Sequence, residues 1–502
     1  MRLQKRRVLV LSSLFCLICG CGNGSDPAGK KIPIAPLDIV LDETLSISEN
    51  ATFVTDIEVL TSASQLASLQ ISGVDSSLFQ LNKGISLFFK DAPDYENPSS
   101  HDHDNSYEIT VSAAVGVASA KKDLVITVLD RNELNLGPYL PLADSEFDYE
   151  NWERLESNLI VEELHSEDSK LWGARFLEDD HFLATRQDGF FVMYDLIDQE
   201  VYRFDVKESI DLSVKGQGGL FNFDFLRRDN GTFDVIFAAA IINDNETSDL
   251  GVYLANISTR QGLSIDTPRQ LFKTDTNSIS ANHFGGDVQI IGDDLFVTSG
   301  DRNCRSCAQD ANDHRGKILR FEIQEDGMLV PNPRNSINTE LKREIFSIGH
   351  RNPQGLAFAE EFEAVLIAEH GPQGGDEINV LEGGENYGWP LATFGEEYGG
   401  GVIGTHRIPE YQDPILYYLP SIAPREIRYV EQNNLFPELN NSLLVASLKF
   451  QMIVVLKLNE GRPKQSIIDL SGFGRISSFD INSVGEVFFV THSSPGRLYR
   501  IR

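Results

Sequence analysis

The chain is an acidic polypeptide of 502 residues, in which 75 aspartates and glutamates outnumber 43 lysines and arginines and give a formal net charge of −32. This excess of negative charge repels phosphate backbones and anionic lipid headgroups, so a nucleic-acid partner is not expected. The length exceeds what one small core can fill, and two or more folded units are expected.

The first twenty residues have the pattern of an export signal. A basic start, MRLQKRR, precedes the apolar stretch VLVLSSLFCLI, which is too short to span a bilayer. The stretch ends in ICGC, which resembles the lipobox of bacterial lipoproteins and would make Cys21 the lipid acceptor. We therefore predict a lipoprotein signal peptide over residues 1–20 and a polar tether over 21–34. No aspartate follows Cys21, which by the same resemblance favours the outer membrane, facing the periplasm or the cell surface. The protein would touch the membrane only through this anchor; an ordinary secretory signal is the alternative.

Residues 35–134 predict an all-β unit, because segments such as SYEITVSAAVGV and KKDLVITVLD alternate or run apolar between turn residues. The order of its acidic motifs resembles a cadherin repeat, which implies a β-sandwich with calcium at one edge. The matching positions are Glu49, Asp94, Glu96, Asp130, Asn132 and Glu133. The usual aspartate after the penultimate strand is missing and the terminal motif reads DRNEL, so a spacer that binds calcium weakly or not at all stays open.

Residues 135–155 are predicted to be a linker, and residues 156–502 to form a six-bladed β-propeller. One pattern recurs six times: an apolar strand, a turn, a β-rich strand, a glycine-containing turn and a last strand, as in GARFLEDDHFLATRQDGFFVMYDL. The spacing suits four-stranded blades, and long helical periodicity is absent. Loops of successive blades meet at one end of the central channel of a propeller, so function is expected there.

Two cysteines remain in this part of the chain, Cys304 and Cys307, in the sequence GDRNCRSCAQD. In an oxidising compartment such a pair is expected to form a small loop disulfide. A zinc site would need two further ligands, and a redox-active pair normally opens a helix, whereas this pair lies among loop residues.

Polar residues stand at comparable places in several of the repeats, near the start or end of a core strand. They are Gln217, His283, Arg351, Asn352, Lys449, Arg475 and the stretch EHGPQGGDEIN. Equivalent positions of a propeller converge on its axis, so three cations, a histidine and a carbonyl-rich acidic loop should surround one cavity. That combination suits a small polyanionic ligand held together with a metal ion.

The sequences NHFGG, IFSIGHRNPQGLAF and AEHGPQGGDEINVLEGGENYGWP resemble the soluble PQQ-dependent glucose/sorbosone and aldose sugar dehydrogenase family, over about residues 170–502. The resemblance implies an enzyme that uses PQQ and calcium to oxidise an aldose to its lactone and passes electrons to an exported acceptor. His283 would be the general base, a role that suits an imidazole because its pKa lies near working pH. By the same resemblance, the cofactor would be bound by Arg351, Asn352, Lys449 and Arg475, and the sugar would lie near Gln217 and Asp376.

The glycine-rich stretch is explained by the same resemblance. Gly371 and Pro372 would offer backbone carbonyls to a calcium ion that also binds PQQ, because hard cations prefer oxygen and glycine lets the backbone approach. Glu377 and Tyr387 match positions that hold a second, structural calcium in the family.

Two positions depart from the family pattern. Ser477 stands where a second arginine is common, and losing one hydrogen-bonded charge could cost about 1.5–3 kcal/mol, or tenfold to a hundredfold in affinity. Arg425 and Glu426 replace a small pair in SIAPREI, so Arg425 would either supply the missing charge from another blade or crowd the sugar site. A noncatalytic calcium-binding surface protein, whose propeller and cadherin-like domain bind glycan or protein, is therefore the alternative function.

Overall fold

The structure is a computed structural model, and it describes residues 37–49, 52–61, 67–82, 85–95, 97–129, 152–155, 159–228, 231–243, 246–259, 264–335, 341–458 and 463–502. The predicted signal peptide, the tether with Cys21, most of the linker, and the positions Glu96, Asp130, Asn132 and Glu133 lie outside these residues. The chain divides into two compact units, the first ending at Leu129. In the described part of the chain, no helix has both the length and the apolar character needed to cross a bilayer.

The first unit is built from β-strands, as the sequence predicted. Its strands are β1 (Leu37–Val40), β2 (Thr44–Ser48), β3 (Phe53–Asp56), β4 (Glu58–Thr61), β5 (Ser68–Ser72), β6 (Phe79–Asn82), β7 (Ser86–Phe89), β8 (Ser106–Val115) and β9 (Ala118–Leu129). They form a four-stranded sheet in the order β2-β9-β8-β5, a three-stranded sheet β3-β7-β6 and the pair β1-β4. Strand β8 illustrates how the sheets bury a common core. Its alternate residues, from Tyr107 to Val115, are buried, and the three-stranded sheet contributes to the same core. The likeness to a cadherin repeat stays a prediction.

The second unit is also built from strands, with short 3₁₀ helices at Lys207–Ser209, Arg305–Gln309, Glu360–Phe362 and Pro437–Leu439. Its strands are β10 (Glu153–Arg154), β11 (Val161–Glu167), β12 (Leu171–Glu178), β13 (His181–Arg186), β14 (Phe190–Asp195), β15 (Glu200–Asp205), β16 (Leu220–Arg227), β17 (Thr232–Ile242), β18 (Ser248–Ser258), β19 (Ser264–Ile265), β20 (Arg269–Lys273), β21 (Gly285–Ile291), β22 (Asp294–Ser299), β23 (Lys317–Ile323), β24 (Leu329–Pro331), β25 (Ile345–Ile348), β26 (Pro353–Ala359), β27 (Ala364–Glu369), β28 (Asp376–Leu381), β29 (Leu416–Tyr418), β30 (Pro424–Val430), β31 (Ser442–Ser447), β32 (Met452–Lys457), β33 (Lys464–Asp469), β34 (Ile476–Ile481), β35 (Val487–Thr491) and β36 (Gly496–Ile501).

The described strands of this unit form six sheets, which begin in turn with the inner strands β12, β16, β21, β26, β30 and β34. Each inner strand contacts the next, and β34 contacts β12, so the six inner strands close a ring. The last sheet is completed by β11, which pairs with the final strand β36. Middle strands such as β31 are buried along their whole length, because each sheet is covered on both faces by its neighbours.

All six inner strands share an irregularity close to their first residues. The pairing register shifts near the start of each one, as in β21 between Gly285 and Val288 and in β30 between Pro424 and Ile427. Bulges of this kind bend a strand and redirect its side chains, and they are frequent beside functional sites. The starts of the inner strands therefore mark the end of the ring where a site is expected.

Candidate active site

A cavity of about 260 Å³ lies where the inner strands begin. It is lined by Lys170, Trp172, Gln187, Gly216, Gln217, Phe221, Phe284, Gly285, Asn352, Gln354, His370, Leu448, Arg475 and His492. Of the residues predicted from sequence, Gln217, Asn352 and Arg475 line this cavity directly. No carboxylate is among its lining residues, which sets it apart from the acidic chain as a whole.

His283 lies immediately before the inner strand β21 and next to the cavity-lining residue Phe284. Its backbone N–H donates to the side-chain oxygen of Gln217, with N and Oε1 2.8 Å apart, and its backbone φ is +51°. Its Nδ1 lies 2.7 Å from Oδ1 of Asp301, and its side chain is 14% exposed. Because an ionised carboxylate can only accept a hydrogen bond, Nδ1 carries a proton, and in the neutral ring the lone pair is therefore on Nε2.

Asp301 was not predicted from the sequence, although it belongs to the GDR motif. Its second oxygen accepts a hydrogen bond from Nε1 of Trp389 at 2.8 Å, and Oδ1 also accepts the backbone N–H of Asn303 at 2.8 Å. Burial by itself would raise the pKa of Asp301, but the hydrogen bond and charge of His283, together with the positive charge of Arg351, hold that pKa below its usual value. Asp301 is therefore an ionised anchor for the His283 ring.

The loop that follows Asp301 is closed by a disulfide between Cys304 and Cys307. The backbone N–H of Cys304 donates to the carbonyl of Asp301 at 2.7 Å, and a short 3₁₀ helix begins directly after Cys304. The buried ammonium of Lys317 donates to the carbonyls of Cys307, at 2.8 Å, and of Ala308, at 3.0 Å. These bonds fix the loop on which Asp301 stands.

Arg351 and Asn352 lie just before β26, where Asn352 contacts the neighbouring sheet and Arg351 contacts loops of its own sheet. The amide oxygen of Asn352 accepts the backbone N–H of Gly285 at 3.2 Å, and Nη1 of Arg351 donates to the carbonyl of His370 at 3.0 Å. The Arg351 guanidinium also lies 5.4 Å from the ring centre of Trp389, the residue that holds Asp301. Residues predicted on separate repeats are thus brought together.

A second cavity, of about 10 Å³, has room for one water molecule or ion. Arg351, Gly371, Glu377 and Tyr387 are among its lining residues, and His370 lines both cavities. The hydroxyl of Tyr387 donates a hydrogen bond to the carbonyl of Val380 at 2.6 Å. The positions predicted for a structural calcium therefore surround one small space.

Two carboxylates face each other beside this second cavity. Glu369 on β27 is paired directly with Glu377 on β28, and the side-chain amide of Asn379 donates to both of them, at 3.3 and 3.2 Å. Burial and the negative charge of Glu369 raise the pKa of Glu377 well above its usual value. Like charges directly opposite each other destabilise a strand pair, and a cation between them would remove that cost.

Hydrogen bonds to the side chain of Asp376 stabilise the turn from Gly371 to Asp376. Asp376 is fully buried; Oδ1 accepts the N–H of Gly371 at 3.0 Å, and Oδ2 accepts the hydroxyl of Ser421 at 2.6 Å and the N–H of Ala423 at 2.8 Å. A Cβ at Gly371 would collide with the carbonyl oxygens of Gly374 and Gly375. The sequence placed Asp376 near the sugar, whereas the structure places it behind the loop, with both oxygens occupied by the chain itself.

Lys449 and Arg475, the other two cationic residues predicted to bind the cofactor, differ in their position relative to the larger cavity. Lys449 is exposed in the hairpin between β31 and β32, and its ammonium lies 4.9 Å from the ring centre of Phe450. It does not line the cavity, whereas its neighbour Leu448 does. Arg475 lines the cavity, and within the described residues its guanidinium has no hydrogen-bond partner.

Arg425 and Glu426 lie in the interior of the ring, 1% and 0% exposed. Glu426 accepts hydrogen bonds from Arg175 at 2.6 Å and from Asn222 at 3.1 Å. Arg425 donates through Nη1 to the carbonyl of Gln354 at 3.0 Å. Ser477 is also fully buried, and its hydroxyl donates to the carbonyl of Leu171 at 2.9 Å. The unusual pair is therefore part of a buried charge network that connects several inner strands.

In the first unit, two of the predicted calcium ligands are described. Glu49 is buried, and its carboxylate accepts the backbone N–H of Tyr95 at 2.8 Å. Asp94 accepts the N–H of Asn97 at 3.0 Å. The two acids thus flank the same turn, at Tyr95.

Known proteins resemble the second unit of the chain. The family model described as Glucose / Sorbosone dehydrogenase matches residues 168–500. The chain belongs to this family. An aldose sugar dehydrogenase of Escherichia coli (strain K12), YliI, is 29% identical over 300 residues, which cover 58% of this chain and 79% of that protein. The quinoprotein glucose dehydrogenase B of Acinetobacter calcoaceticus is 27% identical over 286 residues, covering 52% of this chain and 58% of that protein.

Among solved structures, the soluble aldose sugar dehydrogenase of Escherichia coli in its apo form superposes with a TM-score of 0.62 and 27% identity. The match covers 69% of this chain and 99% of that one. The family resemblance drawn from the sequence is thereby confirmed, and the second unit is a β-propeller of the glucose/sorbosone dehydrogenase family.

Proposed function

We propose that this protein is a PQQ- and calcium-dependent dehydrogenase, which oxidises an aldose to its lactone in the cavity of a six-bladed propeller. The observation that carries the proposal is the pair His283–Asp301, a histidine oriented by a carboxylate beside a cavity lined by Lys170 and Arg475. The matched family and the names of the relatives support sugar oxidation.

PQQ is a small tricarboxylate, and the cavity fits such a ligand on three counts. Its lining includes cations and amides but no acid. Arg475 has no partner among the described residues, and the indole N–H of Trp172 is buried without an acceptor. We assign cofactor binding to Arg351, Asn352, Arg475 and Lys449. Lys449 is included because its neighbour Leu448 lines the cavity. When bound, the quinone would accept the hydride equivalent of the sugar.

Calcium fits the adjacent turn. The carbonyls of Gly371 and Pro372 would hold the ion that polarises the quinone, and Glu377 with Tyr387 would hold a structural ion. The facing carboxylates Glu369 and Glu377 support this assignment, because they need a counter-charge.

The chemical work of the chain itself is proton transfer and positioning. His283 Nε2 takes the proton of the anomeric hydroxyl, and Asp301 keeps the ring oriented and stabilises the imidazolium that forms. Gln217 fixes the backbone of His283, so that the base is held against the cavity rather than left on a mobile loop.

The setting of the enzyme is part of the same proposal. A lipid anchor at Cys21 would hold the protein at the bacterial outer membrane, and an exported acceptor would take the electrons. The first unit would act as a cadherin-like spacer, with calcium at Glu49, Glu96 and Asp130 if it binds the ion at all.

The substitution at Ser477 favours one rival, a noncatalytic protein that binds glycan or protein at the same surface. A titration of the calcium-loaded apoprotein with PQQ separates the two functions. The enzyme binds PQQ and then shows a change in quinone absorbance when an aldose such as glucose is added. A protein that binds PQQ but gives no such change with any of a panel of aldoses is the surface protein instead.

A further inference from the structure

One wall of the larger cavity carries polar nitrogen atoms that have no hydrogen-bond partner among the described residues. In the described part of the chain, Nε1 of Trp172 and Nε2 of His492 are both buried without a hydrogen-bond partner, and their rings meet edge to face at 4.8 Å. Lys170 and Arg475 line the same cavity. Within the described residues, neither of these two cations has a hydrogen bond or ion pair through its charged group.

A buried arginine stands directly behind this wall. The Arg425 guanidinium lies 4.7 Å from the ring centre of Trp172 and bonds through Nη1 to the carbonyl of Gln354, which lines the cavity. Its Nε and Nη2 have no hydrogen-bond partner within the ranges that the structure describes, although the side chain is only 1% exposed. Nη1 also lies 3.3 Å from the carboxylate of Glu426, so the charge of Arg425 is paired within the chain, and only its Nε and Nη2 donors are left for a ligand.

The positive charges converge on His492. Burial, together with the charges of Lys170, Arg475 and Arg425, lowers the pKa of His492 to about 3. The imidazole is therefore neutral at physiological pH, and it stands among three cations with no acid in the lining of the cavity. An anion placed there would reduce the repulsion among the cations and give the unused N–H groups an acceptor.

We propose that Lys170, Trp172, Arg475 and His492, with the unused donors of Arg425 behind them, form a carboxylate-binding subsite in which Lys170 supplies the charge that Ser477 lacks. The proposed subsite lies close to Ser477, because the Ser477 hydroxyl donates to the carbonyl of Leu171, the residue next to Trp172. That the carboxylate belongs to PQQ rests on the proposed function. An acidic sugar would bring the same group, and the experiment separates these two sources.

The test is isothermal titration calorimetry on the calcium-loaded, full-length apoprotein. Lys170→Met removes an unpartnered cation, and Trp172→Phe removes only the unpartnered N–H while an aromatic ring stays against Arg425 and His492. Each change is expected to weaken PQQ binding about tenfold. The matched control is Lys215→Met, an exposed lysine beside the lining residue Gly216, which should change the affinity by less than about twofold. Thermal unfolding checks that each variant is folded.

The second arm uses PQQ trimethyl ester, which lacks the carboxylate charges. Wild type should bind the ester more weakly than PQQ, and Lys170→Met should bind the ester as well as wild type does. Unchanged affinity for both PQQ and glucuronate in Lys170→Met and in Trp172→Phe overturns the subsite and leaves the proposed function standing. A loss of glucuronate binding in these variants, with PQQ affinity unchanged, assigns the carboxylate to the sugar and overturns the cofactor assignment.

A third arm separates the subsite from the proposed function. If wild type binds no PQQ, the proposed function fails, and citrate then serves as a tricarboxylate probe. Citrate binding that is weakened by Lys170→Met and not by Lys215→Met keeps the anion subsite. Absence of citrate binding overturns the subsite as well.

Discussion

His283 Nδ1 and Asp301 Oδ1 lie 2.7 Å apart although 18 positions separate them in the chain. The pairing of β21 with β22 explains this, because Gly285 stands opposite Ser299. His283 is two residues before Gly285 and Asp301 is two residues after Ser299, so the hairpin brings them side by side. The base and its anchor are thus placed by the register of one hairpin, and Trp389 adds a third contact from the next sheet.

Replacing His283 with alanine should abolish most turnover while the cofactor still binds. A general base contributes about 10²–10⁴ in rate, and His283 is the histidine beside the cavity whose ring is oriented by the Asp301 carboxylate. Steady-state rates with an aldose, together with a PQQ titration of the same preparation, measure both effects. The matched control is His406→Ala, an exposed histidine on the long loop between β28 and β29, which should be neutral. Turnover that survives His283→Ala would remove the base assignment.

Replacing Asp301 with asparagine should change the pH dependence of stability. The pKa of Asp301 is lowered in the folded protein, so its stabilising effect is present above the unfolded value of about 3.9 and is lost as pH falls through the folded pKa. Wild type should therefore exceed Asp301→Asn in unfolding free energy at pH 6, and the difference should shrink below about pH 4. Urea unfolding at several pH values measures this. A difference that stays constant down to pH 2 would mean that the charge of Asp301 is not the cause.

The sequence predicted the strand pattern and much of the convergence, because repeated units place equivalent positions at one end of a ring. Gln217, Asn352 and Arg475 meet at one cavity for that reason. The sequence could not predict the direction of individual side chains where the backbone is irregular. Asp376 turns inward to hold its own loop, and Arg425 and Glu426 are both interior although they are adjacent. The register shift between Pro424 and Ile427 spans that pair, and a simple alternation of faces does not allow for it.

Removing the disulfide should slow catalysis without lowering the affinity for the cofactor. The double change Cys304→Ser and Cys307→Ser frees the loop that follows Asp301, and small displacements of a positioned catalytic group are costly, so a loss of about tenfold in kcat is expected. Mild reduction of wild type should give the same loss, and the serine variant should not respond to reductant. Full activity in the serine variant would show that Lys317 and the backbone bonds hold the loop without the disulfide.

Replacing Glu377 with glutamine should have opposite effects with and without calcium. In metal-free protein, at a pH above the raised pKa of Glu377, the change removes the repulsion with Glu369 and should raise the free energy of unfolding by up to about 1 kcal/mol. With calcium, the stabilisation seen in wild type should be smaller in the variant, because one ligand has lost its charge. Thermal unfolding with calcium and with chelator measures both, and Glu410→Gln, an exposed acid on the same loop region, is the control. A metal-free variant less stable than metal-free wild type would contradict the cation site.

Replacing Asp376 with asparagine distinguishes a loop-holding residue from a sugar ligand. Its charged oxygens accept the N–H groups of Gly371 and Ala423, and hydrogen bonds to a charged group contribute about 1.5–3 kcal/mol each. Weakening them should loosen the turn that carries Gly371 and Pro372, so calcium and PQQ affinities should fall about tenfold. The KM for the sugar, measured with both groups saturating, should change less than about threefold, because both oxygens of Asp376 are buried against the chain. Asp413→Asn, an exposed acid paired with Arg407, is the control. A raised KM with unchanged calcium affinity would instead place Asp376 at the sugar.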